Sequence, residues 1–237
     1  MSLLVVTGTG TGVGKTVVTA ALATLALARG ASCAVVKPAQ TGEPVGAAGD
    51  LAEVARLSGC TDLHELVRFP DPLSPAAAAR RSGRPPLDHA QALHLLLSLG
   101  DRDLVLVEGA GGLLVRYDED GLTVADLARS LRAPVLVVAA AGLGTLNATA
   151  LTLEALAHRG VELAGVVLGA WPAEPDLAER SNLRDLETLA ARPLLGALPE
   201  GAGGLARGAF LEAARTGLGP HLGGAFDARA FRTAYDA

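Results

Sequence analysis

The chain has 237 residues, half of them apolar and only 3% aromatic, with a formal net charge of −5. This length suits one α/β domain or at most two small ones, around a core of Ala, Val and Leu. With no basic tract and no aromatic–basic interleaving, the sequence argues against nucleic acid or an anionic membrane as partner.

Short, continuously apolar runs alternate with helical patterns along the chain. The runs are Leu3–Val6, Cys33–Val36, Leu104–Val107, Pro134–Ala139, Leu163–Leu168 and Leu194–Leu198. Continuous rather than alternating apolar character marks parallel strands covered on both faces. Between them, helices are predicted at Thr16–Arg29, Asp50–Ser58, Leu87–Leu99, Val124–Leu131, Leu146–Arg159 and Asp176–Ala191. The repeated β-then-α order predicts an α/β doubly wound parallel sheet, read as a single domain over residues 1–237. The proline-rich stretch Leu63–Pro86 reads as a loop with one short helix around Pro75–Arg81. The Gly- and Ala-rich tail from Gly201 is expected to hold helices near Phe210 and Phe226.

Cys33 and Cys60 stand alone and form neither a disulfide framework nor a zinc spacing, so both are expected as reduced thiols. The start, Met-Ser-Leu-Leu-Val-Val-Thr, reads as a first strand rather than a signal peptide. No apolar run reaches the length of a membrane span, and a cytoplasmic protein is expected.

In such sheets ligands sit beyond the carboxyl ends of the strands. After the first strand comes Gly8-Thr9-Gly10-Thr11-Gly12-Val13-Gly14-Lys15-Thr16, leading directly into a helix. Glycines let backbone N–H groups curl around a phosphate, and the helix N-terminus adds a favourable dipole. Lys15 can reach the β- and γ-phosphates, and the Thr16 hydroxyl can bind Mg²⁺. Thr9 occupies the usual first-glycine position and Gly8 precedes it, so the loop is a long variant of the P-loop.

Lys37 ends the second strand, within Lys37-Pro38-Ala39-Gln40-Thr41-Gly42. On local grounds it reads as a solvated strand-end lysine or as a partner for a bound anion; the phosphate loop on the same edge favours the second. Glu108-Gly109-Ala110-Gly111-Gly112 follows the third strand, and an acid there suits Mg²⁺ opposite Thr16. Asp50 opens a helix and reads either as a helix cap or as a second carboxylate for the metal. The turn Gly142-Leu143-Gly144-Thr145-Leu146-Asn147 reads as a plain βα connection or as a carboxylate-holding helix start. The scattered histidines form no metal spacing and no triad.

Taken together and in order, the long phosphate loop, Lys37-Pro38 with Thr41-Gly42, Val107 through Gly112, and Leu143 through Asn147 resemble the dethiobiotin synthetase family, with Leu194-Leu195-Gly196 and Leu198-Pro199 also fitting. The resemblance implies that 7,8-diaminopelargonate and CO₂ form a carbamate, that ATP phosphorylates it, and that ring closure gives dethiobiotin. It implies catalytic roles for Lys15, Lys37 and Thr41, and Mg²⁺ held by Thr16, Asp50 and Glu108. Nucleotide contacts are expected from Gly12, Val13, Gly14, Lys15, Thr16, Val17, Asp50, Glu108, Gly109, Ala110 and Gly111, and around the base from Gly169, Ala170, Leu198, Pro199 and Glu200. Substrate contacts are expected from Thr11, Lys37 and Thr41, with Leu143, Gly144, Thr145, Leu146 and Asn147 supplied by the second subunit of a homodimer.

The sequence departs from the family pattern at three places. Ala148 stands where a histidine is frequent, Asn182 falls near a position where some members carry tyrosine, and Gly169 replaces an asparagine that often reads the base. Without that amide, base selectivity is expected to be loose, so that CTP could serve beside ATP. Trp171 could stack on a base or simply pack. The rival function is a positioning or partition-type ATPase switch. Such proteins usually carry a lysine early in the loop, where this chain has Gly10.

Overall fold

The computed structural model describes residues 2–235. Its centre is a parallel sheet of β1 (Ser2–Gly8), β2 (Cys33–Thr41), β3 (Asp62–Phe69), β4 (Leu104–Glu108), β5 (Val135–Ala139), β6 (Leu163–Trp171) and β7 (Gly196–Pro199). The strand order is β3-β2-β4-β1-β5-β6-β7, and every pairing is parallel. From β1 the chain passes to β2 and the edge strand β3, returns to insert β4 between β2 and β1, and then winds the other way through β5, β6 and β7. This is the doubly wound parallel sheet that the alternation of apolar runs and helical patterns predicts.

Because side chains alternate along a strand, each central strand feeds two cores. Val5, Val36, Val107 and Val137 face one side and pack with Leu96 of α4 (His89–Ser98), Leu127 of α5 (Val124–Leu131), Leu156 of α6 (Thr145–His158) and Leu186 of α7 (Leu177–Ala190). Val6, Val35, Leu106, Leu136 and Val138 face the other, against Val18 and Leu22 of α1 (Lys15–Ala28), Val54 of α2 (Asp50–Ser58) and Phe210 of α8 (Arg207–Gly217). Burial on both faces is the physical reason for the unbroken Val/Leu runs. Where local chemistry sets helix starts, it does so by capping boxes: Thr123 with Asp126 at α5, and Asp176 with Glu179 at α7.

Two expectations need correction. The stretch read as a loop from Leu63 begins with a seventh strand, β3, paired along β2 from Ala34↔Asp62 to Thr41↔Phe69. Nearly all its residues are only half-buried, as befits an edge strand, and it carries His64, Glu65 and Arg68, so it lacks the continuous apolar signature. The short helix expected at Pro75–Arg81 is present as α3 (Pro75–Ser82), with Pro75 in its first turn. In the tail, Phe210 lies in α8 as expected, whereas the helix anticipated near Phe226 starts just after it, as α9 (Ala228–Tyr235). Both cysteines are free and buried. Among the described residues no helix is long and apolar enough to cross a membrane.

Candidate nucleotide and substrate site

The carboxyl ends of β1, β2 and β4 open into a cleft of about 890 Å³. Sheet register brings its charged groups together. Val36 is paired with Val107 and Val6 with Glu108, so Lys37 and Glu108 emerge side by side beneath the start of the phosphate loop. The Lys37 Nζ donates to Glu108 Oε1 at 2.8 Å and to the Gly109 carbonyl at 3.4 Å, and lies 2.5 Å from Asp50 Oδ2. Burial alone would depress the Lys37 pKa, but the Glu108 and Asp50 carboxylates outweigh it and hold the ammonium well above its ordinary value. Lys15 is held below the ordinary lysine value by burial and by the neighbouring Lys37 charge. Its Nζ donates to the Gly10 carbonyl at 2.8 Å, so the loop lysine curls back on its own loop.

Thr16, the second residue of α1, donates its hydroxyl to Glu108 Oε1 at 2.9 Å. Glu108 is fully buried, and its Oε2 has no hydrogen-bond partner. A buried, unpartnered carboxylate oxygen beside a threonine hydroxyl and a second carboxylate is a donor set that fits a small, hard cation. Among the described residues, no group of three or more His, Cys, Asp or Glu side chains is placed to hold a metal. The fit to Mg²⁺ thus rests on two carboxylates and a hydroxyl, with room left for phosphate oxygens and water.

Thr11, Gly12, Gly14, Lys15, Thr16, Val17, Lys37, Thr41, Asp50, Glu108, Ala110 and Gly111 all line the cleft. Sequence reasoning missed four features of it. Gln40 lines the wall between Lys37 and Asp50. Pro72, Leu73 and Ser74, from the irregular stretch after β3, form an opposite side. Val115 adds apolar surface. Tyr117, fully buried, accepts the Ala110 N–H on its hydroxyl at 3.1 Å and so anchors the glycine-rich loop after β4. No local pattern announces these residues, because none of them ends an apolar run or belongs to the glycine-rich loops.

The remaining expected residues lie outside this cleft. Gly169, near the end of β6, packs directly on the phosphate loop: a Cβ there would lie 1.9 Å from the Val13 carbonyl oxygen and 3.0 Å from Gly14 Cα. Gly14 itself has φ +97°, and a Cβ on it would meet the Gly169 carbonyl at 2.8 Å. The two glycines permit a backbone contact that any side chain would prevent. Ala170, Pro199 and Glu200 are exposed at the adjoining strand ends, with the Glu200 N–H bonded to the Trp171 carbonyl at 2.8 Å. The Leu198 side chain is buried in the core and unavailable to a ligand. Trp171 is also buried, meeting Phe231 and Tyr235 edge-on at 5.1 and 5.0 Å, so packing rather than base stacking is its role. The Leu143–Asn147 turn lies away from the cleft of its own chain, with Leu143 94% exposed. Asn182 braces it by donating to the carbonyls of Ala141 and Gly142 at 2.8 and 3.2 Å.

A parallel sheet wound outward from a glycine-rich loop, with Lys15 and Thr16 opening the next helix and Glu108 opposite, defines a P-loop NTPase. Residues 2–203 match a family model described as an AAA domain. The chain is 67% identical over its full length, and that of the relative, to ATP-dependent dethiobiotin synthetase BioD of Frankia casuarinae. It is 62% identical to the protein of that name from Saccharopolyspora erythraea, over 94% of this chain and 98% of the relative. The chain belongs to the dethiobiotin synthetase family. Among solved structures it is similar to the cell division ATPase MinD of Pyrococcus furiosus, with TM-score 0.54 and 19% identity over 90% of this chain and 97% of that one. A ParA family ATPase from Chlorobium tepidum gives TM-score 0.54 and 13% identity over 92% and 90%. At such identities the likeness is one of fold.

The Gly14–Gly169 contact generates a prediction. Gly169→Asn, which places the missing amide of the family pattern, is expected to displace the phosphate loop rather than read a base. Overpacking of this kind costs about 1–3 kcal/mol, so triphosphate affinity should fall by about tenfold or more. Calorimetric titration of the variant with a nonhydrolysable triphosphate checks it, and unchanged affinity would refute the tight contact.

Proposed function

We propose that this site closes the ureido ring of dethiobiotin from 7,8-diaminopelargonate, CO₂ and a nucleoside triphosphate, as an ATP-dependent ligase of biotin biosynthesis. The observation that carries this is the convergence of Lys15, Thr16, Lys37, Asp50 and Glu108 in one cleft of a chain in this family. One amine of the substrate adds to CO₂ and loses a proton to give a carbamate. A carbamate oxygen attacks the γ-phosphorus, forming a carbamic–phosphoric anhydride as the nucleoside diphosphate leaves. The second amine then attacks the carbonyl carbon, expels phosphate and loses its proton, closing the ring.

These steps ask the protein for position and positive charge, not for a covalent partner. Backbone N–H groups of Gly12 through Val17 suit the phosphates, and Lys15, released from the Gly10 carbonyl, reaches them. Lys37, buried beside the Asp50 and Glu108 carboxylates that favour its ammonium form, stabilises negative charge on the carbamate and the transferred phosphoryl group. Thr41, and Thr11 across the cleft, face the substrate. Thr16, Asp50 and Glu108 would hold Mg²⁺, which when bound neutralises triphosphate charge.

The working assembly is a homodimer in the cytoplasm. The Leu143–Asn147 segment, exposed at Leu143, Gly144 and Asn147, would hold the substrate carboxylate in the partner's cleft through the N–H groups at the start of α6. The lysine expected of partition-type switches is absent at Gly10, and nothing in the cleft favours that reading.

Three results test this proposal. Purified protein given diaminopelargonate, bicarbonate and Mg-ATP should yield dethiobiotin, and none with chelator present. Lys37→Ala should lower turnover by roughly 10²-fold or more while sparing nucleotide binding; near-parental output would remove Lys37 from the chemistry.

Base recognition follows from what the rim offers. Gly169 presents no side-chain amide, and Trp171 is buried against Phe231 and Tyr235. Affinity then comes mainly from the triphosphate, and CTP should support turnover beside ATP. A kcat/KM comparison of ATP, CTP, GTP and UTP checks it. An ATP preference of about 10³-fold over every other base, equivalent to ~4 kcal/mol, would mean that adenine is read by groups other than these, and would overturn loose selectivity.

The dimer is tested by complementation. A Lys37→Ala chain mixed with a chain altered at both Thr145 and Asn147 should regain activity, because each heterodimer keeps one intact composite cleft. Confirmed chain exchange without recovery would place each site within one subunit.

A further inference from the structure

Gln40 carries none of the chemistry above, yet its buried side chain spends its amide on the backbone of two residues that the site uses. Its Oε1 accepts the Asp50 N–H at 3.0 Å, and its Nε2 donates to the Thr41 carbonyl at 3.1 Å. Between Thr41 and Asp50 the chain leaves the sheet in an irregular loop, so besides the Lys37–Asp50 ion pair it is the Gln40 amide that ties the end of β2 to the start of α2.

The local alternative to this bridge is blocked. A helix start is ordinarily capped by the residue before it. Here that residue is Gly49, which has no side chain to offer. A Cβ at Gly49 would lie 2.9 Å from both Gln40 Oε1 and Arg68 Nη2. A side chain at position 49 would therefore meet the ends of the two side chains that reach the loop, and one or both would have to shift. Arg68, on β3, donates to the carbonyls of Pro44 at 3.2 Å and Ala47 at 2.8 Å, and is itself held by Glu65 at 2.6 Å. Arg68 thus grips the middle of the loop while Gln40 ties its two ends.

We propose that Gln40 is a positioning residue that couples the two halves of the site. Through the Asp50 N–H it sets the start of α2, and with it the Asp50 carboxylate, against Lys37 and Glu108. Through the Thr41 carbonyl it sets the mouth of the cleft where the diamine enters. A cation held by Asp50 and a substrate held by Thr41 are then placed relative to each other by one amide group. This rests on the assignment of Asp50 to the metal and Thr41 to the substrate made above.

The test uses Mn²⁺ as the probe, read by electron paramagnetic resonance with a nonhydrolysable ATP analogue bound, alongside steady-state kinetics on the full-length protein. Gln40→Met keeps the volume and removes both hydrogen bonds. It should raise the Mn²⁺ Kd and the diamine KM about tenfold each, with kcat at saturating metal and diamine held within about threefold. Gln40→Glu retains an acceptor for the Asp50 N–H but cannot donate to Thr41. It should keep Mn²⁺ affinity and raise the diamine KM alone, a split that a purely structural role would not produce. Asp50→Asn is the control. If it weakens Mn²⁺ while Gln40→Met leaves both the Mn²⁺ Kd and the diamine KM at parental values, the coupling by Gln40 is overturned. If Asp50→Asn itself leaves Mn²⁺ binding unchanged, the metal assignment fails and the coupling fails with it.

Discussion

A buried ammonium is costly to hold in an apolar sheet unless carboxylates are buried with it. Lys37 is such a group, and much of this architecture follows from meeting its needs. Its partners come from two other elements: Glu108 from β4, and Asp50 from the first residue of α2. The β2–β4 register delivers the first by pairing Val36 with Val107, which sets Lys37 beside Glu108. The second depends on where the loop after β2 lets α2 begin. If β4 did not lie between β2 and β1, Glu108 could not touch both Lys37 and Thr16. The inserted strand is thus what joins the charged pair to the phosphate loop.

Around this cluster the chain works mostly through backbone. Gly14 and Gly169 bring the phosphate loop and the end of β6 into a contact no side chain could share. The loop after β4 is anchored through the Ala110 N–H by the buried Tyr117 hydroxyl. A phosphoryl-transfer site gains from such rigidity, because its donors must already point at the charge that develops during reaction. Lys15 and Lys37 divide the positive charge differently. Lys15 rests on a neutral carbonyl and is free to leave for phosphate, whereas Lys37 is tied to two carboxylates.

The fold was legible where burial is two-sided. Six of the strands announce themselves as unbroken apolar runs because both faces are covered. β3 does not, because an edge strand bearing His64, Glu65 and Arg68 satisfies itself with half-buried polar groups and runs into Pro70. The site was legible where a charged residue follows an unbroken apolar run, as with Lys37 and Glu108, or closes a glycine-rich loop, as with Lys15. It was illegible where contacts are made sideways. Gln40 sits within a strand, Tyr117 lies beyond the glycines, and Pro72 to Ser74 belong to an irregular stretch. Trp171 shows the opposite case, a residue with a credible ligand role that α9 claims for packing.

The amino-acid sequence by itself determined the class of fold, the phosphate loop and the identities of the charged groups. These follow from short-range order: apolar runs, glycines before a lysine, and an acid at a strand end. Only the tertiary structure decided that Lys37, Asp50 and Glu108 share one cluster, that Gly169 is closed against Gly14, and that Leu143–Asn147 takes no part in lining its own cleft. Those outcomes depend on strand order and register, which place residues far apart in the chain within hydrogen-bond distance and which no local pattern encodes.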